Sequence, residues 1–424
     1  MKHNTVVKFT LIAALIAGSI IPFCGYIFLI ILLSYLIIKG ELKSILHLAL
    51  KEKSILFALV YIMFSLIRSN YKIDSLIATL GIIIVILLYL VIRKYINSLN
   101  DTIDIFKSFI FSNIIISAYG IIQFYFIRNS YFAASWIDSS VYNITMRAYS
   151  TMLNPNVLAG YLVFYICIQL TSLENIKSRK LSFFSIVLSS LCLILTYSRG
   201  AWISLLIVVF LIYIYRQKIP HLLYLCTFLI SIILINGSFG IERLSINKSL
   251  HDNSMLYRLE IYKATLEIIK EHLWFGTGLN TMKHYIHNYS KVVTAPVDHA
   301  HNLILHILGE TGFIGLIIFG IILLTLIRNL YYTYRLEDDF YKDIAVSGFL
   351  GFLSILIHGF IDAPIVAPQF LFFTIYIYSF ISNIRYMKNF LDRSSETCSN
   401  SRKNSGGELY GTRDTSFKKS YNRA

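Results

Sequence analysis

Charge is scarce in this chain. Only 14% of its 424 residues are Asp, Glu, Lys or Arg, about half the share of a soluble domain. That shortage excludes a disordered chain, which would be polar and highly charged. With 56% hydrophobic residues and a mean hydropathy of +0.65, it also excludes an ordinary soluble globule, which could not hide so much apolar surface. Cysteine offers no framework. Cys24, Cys167, Cys192 and Cys226 lie in apolar runs, Cys398 lies in a polar stretch, and no CxxC pair occurs, so no disulfide scaffold follows. Walker A and GxGxxG motifs are absent, as is any solenoid-type repeat, which removes support for an ATP-driven pump.

What the chain has is long apolar runs. A membrane span needs roughly 17 to 25 mostly apolar residues, and somewhat shorter runs qualify where their flanks are polar or aromatic. The runs are 8–22, 24–38, 54–69, 74–92, 104–127, 155–173, 181–197, 200–215, 220–236, 302–327, 344–362 and 366–383. The expectation is an all-α polytopic membrane protein of about 12 transmembrane helices. Only Pro22 separates the first two runs, and their immediate succession reads as a helical pair and not as a cleaved signal peptide.

Sidedness follows from Lys and Arg in the connections. With the N-terminus in the cytoplasm, Lys39, Lys43, Lys51, Lys53, Arg93, Lys94, Arg179, Lys180, Arg216, Lys218, Arg328 and Arg335 all fall inside. The short outer connections are poorer in basic residues. The net charge of +15 is therefore a topology signal facing anionic lipid. A nucleic-acid partner is excluded because the basic residues are dispersed over many loops. The chain divides into N-terminal helices (1–150), a second transmembrane domain (151–391) holding one large outer loop (237–301), and a polar tail (392–424) read as disordered and cytoplasmic. Within the loop, Met255, Leu259, Tyr262, Leu266 and Ile269 recur at helical spacing. They predict an amphipathic helix lying on the outer membrane boundary. Asp252, Asn253 and Ser254 are its N-cap candidates, and Gly276, Gly278 and Asn280 close it with a turn.

Function in such a chain is sought among polar residues that a membrane should exclude. Three clusters fall on the outer side. Thr196-Tyr197-Ser198-Arg199-Gly200-Ala201-Trp202 forms a tight hairpin with Arg199 at its tip. Arg199 either snorkels to headgroups or clamps an anion, since its planar fork suits two phosphate oxygens. Arg258 sits on the loop helix, either as a solvated residue paired to a neighbouring Glu or as a second cation. The third cluster runs from Asp298 to Gly315 and holds His299, His301, Asn302, His306, Glu310, Gly309 and Gly312. Most of the 11 His residues fall between 251 and 306. Glu310 is nine residues beyond His301, about 14 Å deeper at ~1.5 Å per residue, where a carboxylate must be paired or protonated. The three glycines of the run form a small-residue face for close helix contact. A metal was weighed: His299, His301 and His306 lack the i, i+4 spacing of a helical zinc pair. A neutral imidazole as general base is the more economical reading. Asn154-Pro155-Asn156 opens a span, as caps or as sugar-binding amides. His358 and Asp362 end another, lining the cavity or marking the interface.

The run His301-Asn302, nine residues, Gly312-Phe313-Ile314-Gly315 resembles the pattern of the O-antigen ligase and O-antigen polymerase superfamily. Tyr197 to Trp202 resembles that family's Arg hairpin. Arg258, followed by Trp274-Phe275-Gly276-Thr277-Gly278-Leu279-Asn280, resembles its large outer loop. The likeness spans residues 150 to 383. One departure is Tyr262, where ligases typically carry Leu four residues after the loop Arg, and it leaves ligase and polymerase both open. The resemblance implies a metal-independent, cofactor-free inverting glycosyltransferase of the GT-C type in the cytoplasmic membrane, with its site facing outward. Its donor would be an undecaprenyl-diphosphate-linked glycan. Its acceptor would be lipid A core, another glycan or another hydroxyl. On that reading Arg199 and Arg258 bind the diphosphate and His301 is the base. Asn302, His306, Glu310, Asn156 and His299 line the cavity. A competing class is a transporter or flippase for the same lipid-linked sugars. It should carry charges along a crossing cavity and internal repeats, whereas the polar clusters here gather on one side.

Overall fold

The computed structural model describes residues 2–96, 98–127, 146–172, 179–244, 253–290, 292–293, 297–336, 339–380 and 382–383. The tail 392–424 and Asp252 lie outside the described residues, as do the Asn253 and Ser254 side chains.

Among the described residues the protein is all-helical, about 85% helix, with no strand. Every apolar run lies on a helix. In chain order these are Lys2–Ile20, Pro22–Ile38, Lys53–Arg68, Lys72–Tyr95, Leu99–Phe126, Pro155–Ser172, Arg179–Leu195, Arg199–Arg216, Ile219–Leu244, Leu303–Tyr334, Asp339–Gly359 and 368–380. By length and composition, six qualify as membrane spans, or seven if the bent pair Pro22–Ile38 and Leu42–Lys51 is one. The protein is thus a polytopic membrane protein. Leu42–Lys51 itself was not anticipated. Its 10 residues are too few for a span window, and its lysines resemble a loop.

The middle of the bundle is Pro155–Ser172, whose residues from Val157 to Leu170 are buried almost without exception. Its sequence has no polar face because neighbours cover it on all sides. Asp339–Gly359, Arg179–Leu195 and Arg199–Arg216 all pack on it. Phe109 and Tyr165 stack at 4.0 Å between ring centroids. Toward its N-terminal end a Cβ on Gly160 would come within 2.6 Å of Pro364. The helix start and the corner 358–364 therefore touch, and this contact fixes the floor of the site described below.

The loop helix Asn253–Glu271 forms as expected. Ile261, Ala264, Thr265, Ile268 and Ile269 are buried, whereas Leu259 and Leu266 remain exposed. Met282, Ile286, Val293, Val297 and Ala300 fold back against the buried side of the helix as a small core of the loop's own, which the sequence period did not announce. Of the three glycines expected to permit close helix contact, Gly309 lies beside Thr265 and Gly315 beside Tyr61, both on other helices, whereas Gly312 needs correction. Gly312 has φ +64° and ψ −169° and breaks the helix Leu303–Tyr334. Its neighbour is not another helix but the loop segment 273–281, and a Cβ there would lie 2.4 Å from Phe275 N. The backbone groups freed by the break are paired with that segment. Phe313 N–H donates to Leu273 O (2.8 Å), Thr277 N–H to Gly309 O (2.9 Å) and Gly278 N–H to Glu310 O (2.9 Å). Non-helical backbone near a membrane requires such pairing.

Candidate active site

Asp362 is the centre of a buried polar cluster. It follows the turn that ends Asp339–Gly359, and its side chain is only 2% exposed. His299 Nε2 lies 2.8 Å from its Oδ1 and His301 Nδ1 lies 3.2 Å from the same oxygen. The Ala363 N–H donates to Oδ1 at 2.8 Å. Arg258 reaches across from the loop helix, donating through Nη1 to Ile361 O (3.0 Å) and through Nη2 toward Asp362 Oδ2 (3.4 Å). Burial alone would raise the Asp362 carboxyl, but the neighbouring His301, His299 and Arg258 outweigh it and hold the group well below the usual carboxylate range. Asp362 is therefore ionised at neutral pH. His301 moves downward from its ordinary 6.5, chiefly through burial and against the pull of Asp362. It is a neutral imidazole at neutral pH.

The tautomer follows from these charges. A carboxylate only accepts, so His301 donates from Nδ1 and keeps an unshared pair on Nε2. That is the form a general base requires. The backbone is held for it too. His301 has φ +49°, a left-handed conformation costing a non-glycine residue about 1–2 kcal/mol. Tyr262 OH donates to the His301 carbonyl at 2.9 Å. Asn302 caps the following helix by accepting from Leu305 N–H (3.0 Å) while its Nδ2 donates to Phe360 O (3.0 Å). A strained residue pinned from both sides at a polar cluster points to function.

Arg199 begins its helix just after Tyr197, another left-handed residue at φ +54°. A Cβ on the adjacent Gly200 would meet Ile361 and His358 at 3.2–3.3 Å, so the hairpin abuts the corner that carries Asp362. Arg199 and Arg258 lie within electrostatic reach of each other. The hairpin is held by a residue the sequence did not single out. Arg147 donates from Nε to Thr196 O (2.7 Å) and from Nη2 to Asn156 Oδ1 (2.8 Å). Asn154 Oδ1 accepts from Asn156 N–H at 2.8 Å, the capping role.

His306 and Glu310 form a separate, deeper pair with Nε2 and Oε2 3.5 Å apart. The Glu310 carboxylate accepts from Asn280 N–H (2.9 Å), Thr281 N–H (3.1 Å) and Met282 N–H (3.4 Å). It anchors the loop turn, and its partners are backbone amides. His299, His301 and Asp362 offer ligand atoms within 4.8 Å of one another, a grouping a cation could use. The Arg258 charge on the same carboxylate opposes a second cation there. The sequence offered Asp362 as a span-end residue that lines the cavity or marks the interface. Its signal is an acid at a span end followed at once by Ala363 and Pro364.

Residues 184–320 match the family model described as O-antigen ligase. The match takes in the Arg hairpin, the loop helix and the His301 to Gly315 run. No curated protein matches the chain.

Proposed function

We propose that this O-antigen ligase-related membrane protein transfers a glycan from an undecaprenyl-diphosphate carrier to an acceptor hydroxyl. Attack comes from the outer side of the cytoplasmic membrane. The observation that carries the reading is the Asp362–His301 pair with Arg258 on the same carboxylate and Arg199 beside it. His301 Nε2 takes the proton of the acceptor hydroxyl. The hydroxyl oxygen forms a bond to the anomeric carbon while that carbon's bond to the phosphate oxygen breaks. Attack from the face opposite the leaving group inverts the centre. The departing diphosphate gathers negative charge, and Arg199 and Arg258 stabilise it where it develops. Asp362 holds His301 in one tautomer and opposes the charge the ring gains. The exposed apolar helix faces, with Phe126 and Leu234 among their residues, accept the carrier's lipid tail.

The same chemistry serves a ligase, with lipid A core or another non-glycan acceptor, and a polymerase, with a second repeat unit. Deletion of the gene followed by gel analysis of surface and lipid-linked glycan separates them. Loss of a ligase leaves long lipid-linked chains that never reach their acceptor. Loss of a polymerase leaves single repeats. Unchanged glycan in the deletion strain, with the chain confirmed absent, would sink both.

A further inference from the structure

One basic amphipathic element lies outside the proposed reaction. After Pro22–Ile38 the chain turns through Lys39-Gly40-Glu41, with Gly40 at φ +73°, and Leu42–Lys51 leaves at 106° to the helix before it. A helix set square to a span lies along the membrane surface. Its surface divides into three faces. Ile45 and Ala49 are buried against Lys53–Arg68 and Lys72–Tyr95. Leu46 and Leu50, 48% and 62% exposed, occupy the next stripe. Lys43, His47 and Lys51, spaced by four residues and all exposed, line the flank beyond it.

The charge on this element is not self-compensated. Its two flanking acids are engaged with the bundle: Glu41 pairs with Lys94 and Glu52 with Arg93. Lys43, Lys51 and Lys53 have no acid partner among the described residues. The acids fasten the elbow to the end of Lys72–Tyr95 and leave a cationic rim beside an apolar stripe. We propose that Leu42–Lys51 is an in-plane docking surface for anionic phospholipid. Leu46 and Leu50 enter the acyl boundary, and Lys43, His47 and Lys51 meet the phosphates. By the positive-inside reading, this is the cytoplasmic leaflet.

The test uses the full chain with Leu50→Cys and with Cys24, Cys226 and Cys398 replaced by Ser, labelled with an environment-sensitive fluorophore. It is reconstituted in vesicles of phosphatidylcholine and phosphatidylglycerol, with one or the other lipid brominated at equal mole fraction. Brominated phosphatidylglycerol should quench at least about threefold more strongly, since each surface Lys favours anionic lipid measurably. Lys43→Gln with Lys51→Gln should bring the two quenchers to parity while quenching persists. If the labelled chain does not fold, the ratio of anionic to zwitterionic lipid retained by the unlabelled protein and its Lys43→Gln/Lys51→Gln variant reads the same preference. Equal quenching by both lipids with the lysines intact, an equal retained ratio, or no quenching by either, overturns the proposal.

Discussion

An ionised carboxylate can only accept hydrogen bonds, so Asp362 decides which nitrogen of His301 carries a proton. Two measurable consequences follow. In the proposed reaction the base works only when neutral, so turnover is expected to fall as pH drops through the His301 pKa. Burial sets that pKa below 6.5, and the acid limb of the rate profile is expected below that value. Asp362 pulls the pKa upward against burial. Asp362→Asn should therefore lower turnover on the order of 10²–10⁴-fold and move the acid limb to still lower pH. A limb that moved upward would contradict the pairing. Tyr262→Phe removes a 2.9 Å hydrogen bond to the His301 carbonyl, worth about 0.5–1.5 kcal/mol. A several-fold loss of turnover with near-normal expression is expected. Arg199, Arg258 and His301 stand out in the sequence because charge is rare here and each breaks the local pattern. Asp362 stands out less, because a single acid at a span end reads equally well as a cavity or an interface residue until the loop that folds onto it is seen.

Helices were legible wherever apolar length alone decides. The loop helix was legible from its period, but the small core packed against it was not, since Met282, Ile286 and Val297 approach from later in the sequence. The HN-x9-GxxG run has a physical sense at this scale. His301 and Asn302 start the helix, and Gly312 breaks it where loop segment 273–281 inserts. Gly312→Ala places a Cβ 2.4 Å from Phe275 N at φ +64°, so the segment must withdraw. Destabilisation of at least ~2–3 kcal/mol is expected, visible as a lower unfolding temperature in detergent. Glu310→Gln keeps the shape but weakens acceptance from three backbone N–H groups, a cost of about 1–3 kcal/mol. Limited proteolysis should then cut the 276–282 turn faster than in the unaltered protein, with cleavage elsewhere unchanged. Equal cutting rates would mean that the carboxylate does not hold the loop.

Across the whole molecule, scarce charge says membrane, and its placement is the basis of the expected sidedness. At one place Arg93 pairs with Glu52 and Lys94 with Glu41. Arg199, Arg258 and Asp362 gather at the other kind of place, a corner built from three separate stretches of chain. Sidedness is checked by a single Cys at Lys270, which should react with an impermeant reagent only from outside; labelling only from the cytoplasm inverts the scheme. The central claim is that His301 is the base and the two arginines hold the donor. Its most direct test is His301→Ala in reconstituted vesicles, with donor binding and glycan transfer measured on the same preparation. The account predicts near-normal binding of the lipid-diphosphate glycan and transfer reduced at least ~10²-fold. Full transfer by His301→Ala at equal protein level would contradict it.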